Sequence, residues 1–167
     1  MPTLTDINQM DRSAFVETLG PVFEHSPWIA EQAWEFRPFA GPAQLHAGLC
    51  RILDQAPPGA KLALIKAHPD LGERMEKLTQ ESTREQAAAG LDSLSPDELS
   101  RFQKQNSAYR EKFGFPFVIC ARLNDKNSIF DAFSARLENA KEQEILAALE
   151  EIEKIARLRL NSIITES

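Results

Sequence analysis

Cysteine is scarce in this chain: only Cys50 and Cys120 occur in 167 residues, far apart and outside any Cys-x-x-Cys spacing. That excludes a disulfide scaffold or a zinc ribbon, and two reduced, buried thiols are expected. The three histidines, His25, His46 and His68, form no His-x-x-x-His or His-Glu-x-x-His pattern, so no metal centre is expected. None of the glycines falls in a Gly-x-Gly-x-x-Gly, Walker or Gly-x-Ser-x-Gly motif, which argues against the usual nucleotide sites and against a nucleophile elbow. No apolar run approaches the ~18 residues of a membrane span. Positive charge is also short: 19 Lys and Arg face 25 Asp and Glu, a net charge of -6 without a basic block. Nucleic acid and anionic membranes are therefore poor partners, although local basic groups can still bind a small anion. Met1 to Gln9 has no basic leader, and Thr165-Glu166-Ser167 is not a peroxisomal address of the Ser-Lys-Leu type. A cytoplasmic protein, most simply a bacterial one, is expected.

What the chain does have is helical spacing. With 43% hydrophobic and 26% charged residues it reads as one globular domain over 1–167. Proline and glycine punctuate it. The spacing predicts helices over Asp11 to Leu19, from Ser26-Pro27 to about Arg37, from Gly41-Pro42 to Leu53, and up to His68. Four more follow: Ser82 to Ala89, Ser95-Pro96 to Phe113, Asn127 to Asn139, and Glu142 to Ile164. Gly72 to Gln80 is polar and undecided, with the position of a lid but no feature of one. Phe115 to Ala121, FPFVICA, is the single β-prone run. One isolated strand makes no sheet, so it is expected as a buried extended segment. The fold class is all-α, with about seven or eight helices.

The stretch Leu62 to Leu71, LALIKAHPDL, is the most informative. An apolar helical run stops at His68-Pro69, because proline disfavours the α region for the residue before it. A group that titrates near neutral pH thus sits at a backbone break. It serves chemistry there, or it is a solvated helix-end residue beside the dipole. Ser82-Thr83-Arg84-Glu85 fits a capping box, as does Ser95-Pro96-Asp97-Glu98. Ser82 and Glu85 are then either a cap or an oriented polar pair at a helix start. In the final helix Ile145, Leu149, Ile152, Ala156 and Ile163 lie within about 40° of one line, and Arg159 falls on that stripe at about -40°. A guanidinium there needs a protein carboxylate or a ligand oxygen as partner, unless it snorkels at the stripe's edge. The unpaired backbone of FPFVICA must likewise find partners, in neighbouring loops or in a ligand with amide-like edges. His25 reads as local turn structure and His46 as a surface or packing residue.

Five segments together resemble the OHCU decarboxylase family, whose substrate is 2-oxo-4-hydroxy-4-carboxy-5-ureidoimidazoline. They are FEHSPWIAEQAW (23–34), LIKAHPDLG (64–72), ESTREQAAAGLDSL (81–94), FQKQNSAYREKFGFPFVICA (102–121) and EIEKIARLRL (151–160). The resemblance implies an all-α homodimer, free of metal and organic cofactor, that yields (S)-allantoin in urate degradation. It implies His68 and Glu85 as catalytic residues. It implies Pro69, Ser82, Arg159 and the backbone of Phe117, Val118, Ile119, Cys120 and Ala121 as the substrate-binding set. LALIKAHPD also resembles the His-Pro-Asp turn of J-domain co-chaperones. However, Lys61 and Lys66 are the only cations of that helix, and the chain is over twice a J-domain's length. A non-catalytic helical ligand-binding protein is the other alternative.

Overall fold

Most helix boundaries follow the punctuation. The computed structural model describes residues 1–72 and 79–165. The undecided stretch at 73–78 lies outside the described residues. The chain divides into two compact units, Met1–Leu64 with Glu153–Ser167, and Ile65–Ile152.

The first unit holds α1 (Leu4–Gln9), α2 (Arg12–Leu19), α3 (Trp28–Ala33) and α4 (Pro42–Asp54). It also takes the larger part of α5 (Pro58–Ala67) and the end of α9 (Lys141–Ile163). The six-residue α1 is an addition to the expected set. Thr3 Oγ1 accepts from the Asp6 N–H, and the Asp6 carboxylate accepts from the Thr3 N–H at 2.8 Å. That is a capping box with aspartate in the place of glutamate. The Ser26-Pro27 start is a correction. Helix α3 begins after Pro27, without a side-chain cap. The Ser26 hydroxyl instead donates to the Glu24 carbonyl at 2.9 Å. His25 has φ +47° and is exposed, so this is a local turn. Helices α2 and α4 both pack on α3, and Phe15, Leu19, Ile29, Leu45 and Leu49 are fully buried.

The second unit holds the end of α5, α6 (Gln80–Ala88), α7 (Pro96–Phe113), α8 (Lys126–Arg136) and α9 as far as Ile152. Helix α7 starts on the expected Ser95–Glu98 capping box and ends at Gly114, with φ +80°. There the missing Cβ makes a left-handed cap inexpensive. Among the described residues there is no strand. Phe115 to Ala121 is an extended, entirely buried connection, as the sequence predicts, and it runs into a 3₁₀ turn at Ala121–Leu123. Aromatic rings hold it. Phe117 stacks on Phe133 at 3.8 Å between centroids, and Tyr109 meets Phe113, Phe115 and Phe117 at 4.5, 5.9 and 5.3 Å. Burying Phe115, Phe117, Val118 and Ile119 contributes roughly 1.5–3 kcal/mol each. Ordering seven residues of backbone costs about 1–2 kcal/mol apiece. The two nearly cancel, so polar contacts decide whether the segment stays in one conformation. No helix among the described residues is long and apolar enough to cross a membrane.

Candidate active site

The His68 turn is built by the chain's own stop signal and then held by two helices. Helix α5 ends at Ala67, and the His68 N–H donates to the Ile65 carbonyl at 3.2 Å. The His68 side chain is 7% exposed, so it is not the solvated helix-end residue of the simpler reading. Beyond Pro69 each residue of the turn is tied down. Arg110 Nε donates to Asp70 Oδ1 at 2.8 Å, and Asn106 Nδ2 donates to the Leu71 carbonyl at 2.9 Å. The Gly72 N–H donates to Gln86 Oε1 at 3.0 Å, while Gln86 Nε2 reaches the Asp70 carbonyl at 3.5 Å. Gly72 has φ +76°, a conformation that favours glycine, and a Cβ there would press on Leu94 Cδ1 at 3.3 Å. Gln86 thus fastens the histidine turn to α6, and Asn106 and Arg110 fasten it to α7.

On α6 the structure corrects the cap. The helix starts at Gln80, and the N-cap is Thr79, whose hydroxyl accepts from the Ser82 N–H at 3.2 Å. Both Thr79 and Ser82 satisfy the local rule for a cap. The earlier start places Ser82, Glu85 and Gln86 on one face, and all three are buried. Ser82 and Glu85 are therefore not a capping box. Helix α6 packs against the 3₁₀ turn Ala121–Leu123, where the extended segment ends. The second unit by itself therefore gathers the His68 turn, the Ser82–Glu85 face and the end of Phe117–Ala121.

That segment finds its partners in side chains of α8, α9 and Asn124 where neighbouring loops were the simpler expectation. Arg136 Nη1 donates to the Val118 carbonyl at 2.7 Å. Glu151 Oε1 accepts from the Cys120 N–H at 3.2 Å. Asn124 Nδ2 donates to the Cys120 carbonyl at 2.9 Å. Among the described residues the Ile119 N–H and carbonyl have no hydrogen bond to protein.

Arg159, in the first unit, is 4% exposed and points into the core as the helical spacing predicts. Nη2 donates to Glu24 Oε2 at 2.8 Å, and Nη1 donates to the Pro21 carbonyl at 3.1 Å. A protein carboxylate is thus among its partners. His46 Nε2 lies 2.8 Å from the Glu153 carbonyl and 3.4 Å from Cys50 Sγ, a packing histidine. Cys50 and Cys120 are both free and buried. Burial, reinforced by the charges of Glu153 and Asp54, pushes the Cys50 thiol up to about 12, which removes it as a nucleophile near neutral pH. Two surface grooves of the first unit, of about 350 and 490 Å³, contain none of the predicted site residues.

Gln86, Asn106, Arg136 and Glu144 were not singled out by the sequence as site residues. The signal was available for two of them. Asn106 sits in the buried row Phe102, Asn106, Tyr109, Phe113, and Glu144 stands four residues before buried Ala148. A polar residue on an apolar helical face needs a partner.

A family model described as OHCU decarboxylase matches residues 8–161. The chain is 42% identical over 158 residues to the 2-oxo-4-hydroxy-4-carboxy-5-ureidoimidazoline decarboxylase of Haloferax volcanii, covering 95% of this chain and 94% of the relative. Its fold is similar to a crystal structure of (S)-allantoin synthase, with a TM-score of 0.79 and 32% identity, over 97% of this chain and 54% of that one. It is also similar to OHCU decarboxylase crystallised in the presence of (S)-allantoin, with a TM-score of 0.68 and 26% identity, over 81% of this chain and 89% of that one.

Proposed function

This chain belongs to the OHCU decarboxylase family, and we propose that it converts 2-oxo-4-hydroxy-4-carboxy-5-ureidoimidazoline to (S)-allantoin and CO2 in urate degradation, with His68 and Glu85 as its acid–base pair. The matched span, 8–161, supports reading the chain as one catalytic domain. The observation that supports the reading is the burial of both His68 and Glu85, on elements joined by Gln86. A co-chaperone turn presents its His-Pro-Asp at the surface, and the buried His68 does not suit that role.

The substrate explains why so little machinery suffices. Its carboxylate and hydroxyl share one ring carbon, next to a carbon in a C=N bond. When the bond to the carboxylate breaks, its electron pair forms a C=C bond, and the imine nitrogen takes the displaced pair together with a proton. CO2 leaves. The substrate is its own electron sink, so the reaction has no need of an organic cofactor. A proton then adds to the carbon bearing the ureido group, and the hydroxyl loses its proton to become the ketone. The net change is one proton consumed and one CO2 released.

His68 takes the hydroxyl proton as the C–C bond breaks. Glu85 holds the ureido N–H groups and delivers the proton to the ring carbon from one face, which gives a single enantiomer. Ser82 adds a hydrogen bond, and Pro69 shapes the pocket. The backbone of Phe117, Val118, Ile119, Cys120 and Ala121 meets the amide-like edges of the substrate. Arg159 donates to a carbonyl oxygen of the substrate. The functional form is a cytoplasmic homodimer, and a monomer by sedimentation at micromolar concentration would remove that part of the reading.

The test is circular dichroism of the reaction in real time. The unstable substrate is generated in the cuvette from urate with urate oxidase and hydroxyisourate hydrolase. Addition of this protein is expected to raise an optically active allantoin signal faster than the spontaneous decay. A trace that matches the control lacking protein, with the protein folded, overturns the assignment.

A further inference from the structure

The part of the substrate reading that no side chain carries falls on Ile119. Both its peptide bonds are trans. In a trans peptide the carbonyl of one residue and the N–H of the next point in opposite directions in one rigid plane. Whatever holds the Val118 carbonyl therefore aims the Ile119 N–H. Whatever holds the Cys120 N–H aims the Ile119 carbonyl. The first holder is Arg136, whose Nη1 lies 2.7 Å from the Val118 carbonyl. The second is Glu151, whose Oε1 lies 3.2 Å from the Cys120 N–H.

Arg136 is itself rigidly placed. It is the last residue of α8, and its side chain is 13% exposed. Nε donates to Glu144 Oε1 at 2.7 Å, and the guanidinium carbon stands 4.3 Å over the Phe117 ring. Glu144, fully buried, also accepts from the Tyr109 hydroxyl at 2.6 Å and from Asn139 Nδ2 at 2.9 Å. A planar fork with one arm on a carboxylate and the other on a main-chain carbonyl transmits the position of one to the other.

We infer that Arg136 and Glu151 are positioning residues for substrate recognition: each fixes one peptide plane, so that the N–H and carbonyl of Ile119 face an amide-like edge of the substrate. This rests on the proposed decarboxylation and on the backbone of Phe117 to Ala121 meeting the substrate. Contacts of this kind form with substrate and transition state alike, so their loss raises KM and spares kcat.

The experiment compares Arg136→Lys, Glu151→Ala and Glu151→Gln with the unaltered protein. Lysine keeps the charge beside Glu144 but has no second arm for Val118. Glutamine keeps an acceptor for the Cys120 N–H, whereas alanine does not. KM is expected to rise about tenfold in Arg136→Lys and in Glu151→Ala, the loss of one well-placed hydrogen bond. Under the same inference kcat changes by less than about threefold, and Glu151→Gln restores KM. The Ile119 amide proton shift, which allantoin is expected to move in the unaltered protein, should move less in Arg136→Lys, the variant that releases the peptide plane carrying that N–H. The inference is overturned if KM stays within about twofold in the folded Arg136→Lys and Glu151→Ala proteins, or if Glu151→Gln behaves like Glu151→Ala. If Arg136→Lys does not fold, the two Glu151 variants decide. Absence of turnover in the unaltered protein is a different result, and it removes the proposed function itself.

Discussion

Replacing His68 by asparagine is expected to lower kcat by about 10²–10⁴-fold, the range that a positioned acid–base group supplies. Asparagine approximates the ring's size and keeps a hydrogen-bonding tip, but it neither accepts nor releases a proton near neutral pH. The turn should survive the change. Its hold on the protein runs through the His68 main-chain N–H, the Asp70 carboxylate, and the main chain of Leu71 and Gly72. None of these contacts uses the imidazole. Thermal melts and the dichroism assay on the same preparation separate the two effects. A folded His68→Asn protein with kcat within about tenfold of the unaltered one removes His68 from the proton transfer and leaves Glu85 as the remaining candidate.

The second large effect concerns stability. Glu144→Ala is expected to cost about 3 kcal/mol, because it strands the largely covered Arg136 and the buried Tyr109 hydroxyl together. Burial first, and then the bond to Glu144, hold that phenol well above the usual tyrosine range, so Tyr109 stays a donor throughout the working pH range. Removing the charges as a set should cost less. The triple variant Arg136→Met, Glu144→Leu, Tyr109→Phe strands no charge and no phenol, leaving only the neutral Val118 carbonyl and Asn139 amide without these partners, and its melting temperature should recover part of the loss. Its KM should not recover, because Val118 has still lost its donor. A triple variant as unstable as Glu144→Ala would show that shape, not charge balance, governs this part of the core.

How much of this was visible in the sequence depended on how local the cause was. Proline and glycine act within a few residues, so Pro42, Pro96, Gly114 and the break at His68-Pro69 were legible. The start of α6 was not. Thr79 and Ser82 obey the same capping rule, and the choice between them was made by burial of Ser82, Glu85 and Gln86, a tertiary effect. The six-residue α1 is too short to show a period. Helical spacing turned Arg159 inward and required a partner, yet nothing in its own helix indicated Glu24. The same distance hid Arg136, whose target is a carbonyl, a group that every residue possesses.

The proposed use of Ile119's peptide group has a consequence for inheritance. A main-chain amide cannot be mutated away, so position 119 can drift among side chains of similar volume without loss of recognition. The constraint is displaced to residues 136 and 151, which never touch the ligand. Genetic variation that looks peripheral there would behave as variation in the binding site, while variation inside the pocket at 119 would pass almost unnoticed.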